Sequence, residues 1–190
     1  MVAVGGFDKE DFVADVVAAA AEADAVGAVR LVIERAISEP GALERAFPMP
    51  LDPDDDGILH RAPDLFITHV VFPRGFRTGI HDHRIPAVIG TWGGYEDNHL
   101  YRRTARGIEA TGSRRVGAGD TLVLDPKSIH DVQAPDASWS AALHVYLGDL
   151  PAIERSAWSV VDGPECRYDG DDTERRWLEA ATATGLVTQS

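Results

Sequence analysis

Short runs of β-branched and aromatic residues follow one another from Ile58 to about Val161, and they constrain the fold more than any other feature of the chain. Turn-forming Gly, Pro, Asp and Asn separate the runs, which recur about every 8 to 12 residues without helical segments between them. The clearest runs are LFITHVVF at 65–72, AVIGTW at 87–92, NHLYRR at 98–103, TLVL at 121–124 and SAALHVYL at 140–147. Strands at this spacing predict a mainly β sandwich, barrel or jelly roll.

The segments on either side of this region have the pattern of helices. Between residues 8 and 38 apolar side chains recur at spacings of three and four, as in amphipathic helices. We predict that Gly27 separates two helices and that the run Glu39-Pro40-Gly41 ends the second. Residues 173–185 are predicted to form a terminal helix with Thr173 as its N-cap.

The length of the chain predicts one structural domain. Its 190 residues are too few for two typical domains of about 100–150 residues each. Within that domain we expect an N-terminal helical region and loop at 1–57, a β barrel at 58–165 and a C-terminal extension at 166–190.

The charge of the chain excludes some classes of partner. With 31 acidic and 18 basic residues, the formal net charge is −13, which would repel phosphate backbones and anionic lipids. The only cysteine, Cys166, has no partner for an internal disulfide, and no apolar stretch approaches the roughly 20 residues of a membrane span. We therefore expect a cytoplasmic protein that binds neither nucleic acid nor membranes and acts on a small molecule.

Two of the seven histidines form the tripeptide His81-Asp82-His83. Residues i and i+2 of a strand point to the same face, so these two imidazoles suit neighbouring coordination positions on one metal ion. His130 is the natural third ligand, because it lies on a predicted strand that a hairpin or Greek-key return would bring over the first pair. A lone His-x-His is more often two unrelated histidines, so the flanking sequence decides between these interpretations.

The flanks favour a metal site. GIHDHRIPAVIGTWGG at 79–94 and GAGDTLVLDPKSIHDV at 117–132 resemble the two metal-binding motifs of the cupin superfamily, and the pair is more specific than either motif alone. The resemblance implies the cupin double-stranded β-helix, a jelly-roll barrel, here with N-terminal helices and a short C-terminal helix. It also implies that His81, His83 and His130 are metal ligands.

One departure from the cupin pattern concerns the ligand set. Many cupins carry a glutamate ligand separated from the second histidine by three or four residues, and at those positions this chain has Ala87 and Val88. The resemblance therefore implies three neutral histidine ligands. Such a set leaves a divalent ion with its full charge and with open positions, which suits an anionic substrate together with O2.

The segment LHVY at 143–146 resembles the corresponding strand of the thiol dioxygenases of the cysteine dioxygenase family. In that family a tyrosine hydroxyl lies over the iron and a histidine orients it, roles that the resemblance assigns to Tyr146 and His144. A serine that extends this pair in the family is replaced here by Ala142. The other interpretation of His144 and Tyr146 is a pair of buried core residues.

The same family binds the substrate carboxylate with an arginine upstream of the His-x-His motif. Arg61, in ILHRAPDLF, is nearest the expected place, and Arg77 is its competitor. A planar guanidinium would hold a carboxylate through two parallel hydrogen bonds. Some members cross-link a cysteine to the tyrosine, but Val88 occupies that position here, so no cross-link is expected and cysteine is less favoured as the substrate.

The resemblance implies an enzyme that binds Fe(II) and oxidises a small thiol, such as cysteine or a mercapto-carboxylate, to its sulfinate with O2. Other divalent metals accept the same ligands. Two alternatives stay open: a cupin oxygenase of carbon centres, isomerase or decarboxylase, and a non-catalytic cupin that binds a metal or small ligand. A homodimer is one expected state, because dimers are common among cupins. The sequence assigns no role to His60, His69 or His99.

Overall fold

The computed structural model describes residues 6–52 and 54–187. Within these ranges the α-helices are α1 (Lys9–Ala20), α2 (Ala25–Ile37), α3 (Pro40–Ala46) and α4 (Gly170–Thr184). The strands are β1 (Ile58–Ala62), β2 (Leu65–Phe72), β3 (Ile80–Asp82), β4 (Ala87–Gly93), β5 (Tyr95–Thr104), β6 (Gly107–Gly117), β7 (Thr121–Leu124), β8 (Ile129–Gln133), β9 (Ser140–Tyr146), β10 (Ser156–Trp158) and β11 (Cys166–Arg167). No helix in the described ranges is long and apolar enough to cross a membrane.

The strands form two antiparallel sheets. One sheet has the order β1-β2-β9-β4-β7, and the other has the order β11-β10-β3-β8-β5-β6. Both sheets mix strands from early and late parts of the chain, as expected when an antiparallel ribbon is wound into a jelly roll. The predicted fold is confirmed: the protein is mainly β, with the double-stranded β-helix architecture and a few helices.

Strand β9 separates the two apolar regions of the molecule. Ala141, Leu143 and Val145 face the helices that cover the first sheet. Ala142 and Tyr146 point the other way and pack among apolar side chains between the sheets. This alternation follows from the two-residue period of a strand, and it places every other residue of β9 inside the barrel.

Helix α2 packs so closely on β4 that one position admits only glycine. A Cβ atom on Gly90 would lie 2.1 Å from the Cγ2 atom of Ile33. Such a contact forces a shift of either the helix or the strand, because Ile33 is fully buried in the packed layer between them. Gly90 is therefore a packing requirement for the helix layer.

We expect Gly90→Ala to lower the free energy of unfolding by about 1–3 kcal/mol, the usual cost of overpacking. Urea denaturation monitored by circular dichroism measures this change. Gly41→Ala is the matched control, because its Cβ would meet its nearest neighbour, an Arg45 nitrogen, at 3.7 Å. In helix α3 that change should stabilise by about 0.5–1 kcal/mol. Equal stabilities of Gly90→Ala and the wild type would contradict the packing argument.

The prediction that Gly27 separates two helices is wrong. Helix α1 ends at Ala20 and α2 begins at Ala25, with Asp24 as its N-cap. The Asp24 carboxylate accepts a hydrogen bond from the Gly27 N–H, which therefore lies in the first turn of α2. The capping aspartate decides the boundary, because it satisfies a backbone donor that the helix leaves free.

Two other helix boundaries differ from expectation. The run Glu39-Pro40-Gly41 does follow the end of α2, but Pro40 also begins α3, since proline is compatible with the first position of a helix. The predicted cap Thr173 lies inside α4. Asp169 caps that helix by accepting from the Asp172 N–H.

Each of the five predicted strand segments lies in an observed strand, except for one residue, Leu147, beyond the end of β9. Strand β6 was not among them. Its residues from 110 to 115 are exposed, and it forms a long hairpin with β5. A strand that is exposed on both faces lacks the apolar alternation by which strands are identified.

Candidate metal centre

Three histidines meet where β3 and β8 pair. His81 on β3 lies directly opposite His130 on β8. His83 follows the end of β3, and the chain turns at the next residue, Arg84, whose φ is 60°. The centroids of the three imidazole rings are 4.8 to 5.0 Å apart. The structure thus brings together the three residues that the sequence predicted as ligands.

The ring nitrogens are arranged to accept a cation. One nitrogen from each histidine lies within 4.8 Å of the other two, and the Nε2 atoms of His81 and His83 are 3.1 Å apart. The Nδ1–H of His81 donates to the Gly79 carbonyl at 2.9 Å, so its Nε2 atom carries no proton and its lone pair is directed towards His83. His130 donates from Nδ1 to Asn98 Oδ1 at 3.0 Å, and its buried Nε2 has no hydrogen-bond partner in the described part of the chain.

This donor set fits a divalent metal. A histidine that binds a metal through one ring nitrogen usually donates a hydrogen bond from the other, as the Nδ1 atoms of His81 and His130 do here. An unpaired buried nitrogen costs free energy, which a bound cation would recover. The residues present therefore form a candidate metal site with three imidazole ligands.

All three side chains are held in the form that binds metal. Burial lowers the pKa of His81 to about 4. Burial also lowers the pKa values of His83 and His130 well below the ordinary value. The imidazoles are consequently neutral near pH 7, and neutral imidazole is the ligand form.

Tyr146 and His144 lie at the edge of this site. The Tyr146 ring stands perpendicular to that of His83, with centroids 5.1 Å apart, and its hydroxyl is 2.9 Å from His144 Nδ1. Burial raises the pKa of Tyr146, so the phenol keeps its proton, and burial lowers the pKa of His144 to about 3, so the imidazole is neutral. The pair is therefore buried and uncharged beside the candidate ligands.

The two arginines suggested by the sequence are each engaged with a carboxylate. Arg61 forms two hydrogen bonds with Asp149, at 2.9 and 3.2 Å. Arg77 forms two with Asp131, both at 3.0 Å. Among the hydrogen bonds of the described ranges, neither guanidinium reaches a histidine of the triad. Substrate binding by either one stays a prediction.

Asp131 is the shared hydrogen-bond acceptor for the polar side chains on the outer face of β8. It is fully buried next to His130 and accepts hydrogen bonds from Arg77, His99 and Tyr101. Burial alone would raise the pKa of Asp131, but these three donors outweigh it and hold the pKa below its ordinary value. The ionised carboxylate therefore holds β8 in place on the face opposite to that of the His130 side chain.

An arginine that sequence reasoning missed lies close to the triad. The Arg155 guanidinium stacks on the Tyr168 ring at 3.9 Å, and the Tyr168 ring lies 5.4 Å from the ring of His81. After burial and the Gly79 hydrogen bond, the positive charge of Arg155 is the next influence on the pKa of His81, which it lowers. Arg155 has no carboxylate partner in residues 6–52 and 54–187. It lies in a loop without a motif, so no sequence signal pointed to it.

Arg155 and Tyr168 also line a cavity of about 800 Å³. Phe66 forms part of the same wall, and its ring is 6.0 Å from that of Tyr146. The cavity thus borders Tyr168, which lies beside His81, and Phe66, which lies beside Tyr146. A pocket of this size accommodates a small organic molecule.

The three histidines without a predicted role lie elsewhere. The ring of His69 stacks on Phe47 at 3.8 Å, on the helix side of the first sheet. His99 contacts Asp131, and His60 lies on β1 at the edge of its sheet. We assign none of them to the metal centre.

Glu96 is a buried acid that the sequence analysis did not select. It is 1% exposed, inside the barrel, and accepts a hydrogen bond from the Ser140 hydroxyl at 3.2 Å. Burial raises its pKa from 4.5 to about 7. No ion pair with a basic side chain offsets this burial in the part of the chain that the structure describes.

We expect Glu96→Gln to change how stability depends on pH. Because the pKa is higher in the folded than in the unfolded state, the stability that protonated Glu96 contributes is fully present below about pH 4.5 and is lost as the pH rises through about 7. Relative to the Glu96→Gln variant, the wild type should lose on the order of a few kcal/mol between pH 5 and 8. Urea denaturation at several pH values measures the difference.

Glu109→Gln is the control for this experiment, because Glu109 is a partly exposed acid on the neighbouring strand β6, with 45% of its side chain accessible. Its stability curve should stay parallel to that of the wild type from pH 5 to 8. If the Glu96→Gln curve is also parallel, Glu96 is ionised throughout and the argument from burial fails.

Comparisons with known proteins find partial matches to solved structures. No protein-family model matches the sequence, and no curated protein matches it significantly. DMSP lyase DddQ from Ruegeria pomeroyi DSS-3 is 21% identical over 50% of this chain and 43% of that chain, with a TM-score of 0.40. Oxalate oxidase in complex with glycolate is 17% identical over 45% of this chain and 43% of that chain, with a TM-score of 0.39.

An RmlC-like cupin family protein with a double-stranded β-helix fold, from Methanocaldococcus jannaschii, is 14% identical over 52% of this chain and 87% of that chain, with a TM-score of 0.41. The match spans 43% of the length of the lyase and of the oxidase. The activities in those names belong to those proteins. The fold and the histidine triad of this structure together define a double-stranded β-helix with a candidate metal site.

Proposed function

We propose that this protein is a non-haem Fe(II) dioxygenase that oxidises a small, carboxylate-bearing thiol to its sulfinate. The observation that carries the proposal is the meeting of three neutral histidines, His81, His83 and His130, with the phenol of Tyr146 against their edge. Three neutral ligands leave the charge of a divalent ion uncompensated, which favours an anionic substrate. Fe(II) held by these three histidines would supply the redox chemistry that joins a thiolate to O2.

The reaction is balanced without a further reductant. A thiol and one O2 molecule give one sulfinic acid: the O–O and S–H bonds break, two sulfur–oxygen bonds form, and the thiol proton moves to a sulfinate oxygen or to solvent. Sulfur loses four electrons, and the two oxygen atoms gain them. The protein therefore needs to hold the substrate, exclude water and position protons, and its buried triad suits that task.

Tyr146 is the residue that would place a proton at the reacting atoms. Its phenol is protonated and buried, and it stands over the His83 ring. A hydrogen bond from this hydroxyl to an oxygen atom of the reacting substrate would stabilise charge that develops there. His144, 2.9 Å from the hydroxyl, holds the phenol in position.

Arg155 is the residue that we propose for the substrate carboxylate. Its guanidinium lines the cavity, has no carboxylate partner in the described ranges, and is stacked on Tyr168 beside His81. A planar guanidinium held by an aromatic ring is ready to bind a carboxylate through two hydrogen bonds. Arg61 and Arg77 would have to break ion pairs with Asp149 and Asp131 before they served the same role.

Oxygen consumption by the Fe(II)-loaded protein tests this function. The thiols are cysteine, 3-mercaptopropionate and cysteamine, with a sample without thiol and the His81→Ala variant as blanks. We expect uptake that requires both a thiol and His81, with a preference for the carboxylated thiols and one sulfinate formed per O2. If no thiol raises uptake above the His81→Ala blank, the thiol assignment is wrong.

A further inference from the structure

The inner face of β9 carries more polar groups than the proposed reaction uses. The successive inward positions of β9 are Ser140, Ala142, His144 and Tyr146. His144 contacts the Tyr146 hydroxyl through Nδ1, whereas its other nitrogen, Nε2, is buried without a hydrogen-bond partner among the described residues. An unpaired buried nitrogen is costly, so a donor or acceptor is expected beside it.

Strand β4 brings a second unpaired polar atom to the same place. Thr91 is fully buried and is the cross-strand partner of Ala142. It shares the inner face of β4 with Ala87 and Ile89, which pack between the sheets. The Thr91 hydroxyl also has no partner in the described part of the chain. It therefore lies beside Ala142, at the level between His144 and Ser140.

The spacing of these groups suits bridging waters. Inward positions two residues apart on a strand are separated by roughly 6.7 Å along it. Two waters in series, joined to each other and to the protein by three hydrogen bonds of about 2.8 Å, span such a gap. Buried waters typically satisfy about three otherwise unpaired polar groups, and both His144 Nε2 and the Thr91 hydroxyl need such a partner.

At the far end of this line, Ser140 donates to Glu96, whose pKa is raised by burial to about 7. The titratable groups that face the interior from the neighbouring strands are His130 on β8, and His144 and Tyr146 on β9. Strand β6 places Val116 opposite Glu96, and Arg114, at the next position on the same face, is exposed and donates to the Thr121 carbonyl. On the other face of the sheet, Arg115 of β6 pairs with Asp97 of β5, and Asp131 of β8 pairs with Arg77. Glu96 therefore changes its protonation state near neutral pH without a compensating cation in the described ranges.

We propose that the protonation state of Glu96 determines which way the hydrogen bonds point, from donor to acceptor, in a water-bridged chain that ends at Tyr146. The members of the chain, in order, are Glu96, Ser140, Thr91, His144 and Tyr146. The effect on catalysis rests on the proposed function, whereas the direction of the chain does not. Glu96 and Thr91 are positioning residues in this scheme, because they act through His144.

The two directions differ at the tyrosine hydroxyl. With Glu96 protonated, each group donates towards Tyr146, so His144 accepts at Nε2, donates from Nδ1 to the Tyr146 oxygen, and leaves the phenolic O–H free to point towards the triad. After Glu96 loses its proton, the carboxylate accepts from Ser140 and every hydrogen bond reverses. The Tyr146 O–H then donates to His144 Nδ1, and the Nε2 atom carries the imidazole proton. One proton leaves the chain in total, and it goes to solvent.

The tautomer of His144 is a direct readout that does not depend on activity. We would record nitrogen NMR spectra of the full-length protein labelled in histidine, without metal and with Zn(II), and assign His144 by its loss in His144→Gln. The major tautomer should change from Nδ1–H at pH 6 to Nε2–H at pH 8. The infrared carbonyl band of protonated Glu96 should disappear over the same pH range and be absent in Glu96→Gln.

Variants of Glu96, Thr91 and Ala142 distinguish coupling through the hydrogen bonds from a purely structural role of these residues. In Glu96→Gln the His144 tautomer should be the same at pH 6 and pH 8. In Thr91→Val the Glu96 band should still titrate while the His144 tautomer no longer follows it, and Thr91→Ser should retain the coupling. Adding Ala142→Ser to Thr91→Val returns a hydroxyl to the facing strand and should restore the coupling.

The proposal is overturned if the His144 tautomer is constant from pH 6 to 8 while the Glu96 band titrates, or if Thr91→Val behaves like the wild type. If Thr91→Val does not fold, the comparison of Glu96→Gln with the wild type decides. Failure of every thiol to support oxygen uptake would remove the proposed function but would leave these spectra unchanged. The two failures are therefore distinguishable.

Discussion

Replacement of His81 with alanine is expected to weaken binding of a divalent metal by on the order of 100-fold or more, since loss of a supporting residue alone typically costs 10- to 100-fold. The physical reason is that His81 contributes one of three buried nitrogens and its Nε2 lies 3.1 Å from that of His83. Titration of the metal-free protein with Zn(II) or Fe(II), followed by calorimetry, measures the affinity.

His60→Ala is the control for this prediction. His60 lies on the edge strand β1, away from the pairing of β3 with β8 that forms the triad. Its removal should leave both the affinity and the stoichiometry of one ion per chain unchanged. Equal metal binding by His81→Ala and His60→Ala would show that the triad is not the metal site.

The second large effect is expected for Arg155→Met in the Fe(II)-loaded protein. Loss of a charge-assisted pair of hydrogen bonds should raise the KM for 3-mercaptopropionate by about 10- to 100-fold. Cysteamine has no carboxylate, so its KM should change little. Metal affinity should also be retained, because Arg155 is stacked on Tyr168 and is not one of the converging nitrogens.

Arg61→Met and Arg77→Met are the matched comparisons. Both arginines form two-point ion pairs, with Asp149 and Asp131 respectively, so their loss should affect stability more than KM. A rise in KM for carboxylated thiols in Arg61→Met, with none in Arg155→Met, would return the substrate role to the residue that the sequence suggested. Unfolding curves of the three variants separate the two kinds of effect.

The strands of the barrel were predictable where one or both of their faces are buried. The segments 65–72 and 121–124 coincide with β2 and β7, because runs of β-branched and apolar residues between turns have few other stable arrangements. Strand β6 was not predicted, since its middle residues are exposed and only the pairing with β5 makes it a strand. Its conformation depends on a neighbour rather than on its own composition.

The exact helix boundaries were also not predictable from the local sequence. A glycine in a helical pattern suggested a break at Gly27, but the carboxylate of Asp24 accepts the hydrogen bond from Gly27 and begins α2 before it. Likewise, Asp169 rather than Thr173 caps α4. Several residues near a helix start are suitable caps, and the choice among them depends on how the preceding segment packs.

In the candidate site, the residues within motifs were predictable from the sequence, whereas long-range ion pairs were not. The sequence selected His81, His83 and His130 because two motifs flank them, and the pairing of β3 with β8 brings the three imidazoles together. It also suggested Arg61, but Asp149, which binds that guanidinium, lies 88 residues further along the chain. No local pattern reveals such a pair.

By itself, the sequence determined that this chain is mainly β, where its principal strands run and which histidines are the candidate ligands. These properties depend on local propensity, on the two-residue period of strands and on motifs that lie within about 16 residues. Only the tertiary structure decided which arginine is free beside the triad, and that Glu96 is a buried acid. Burial and ion pairing are set by residues far apart in sequence, and a side chain acquires its protonation state and its partners only when the sheets close around it.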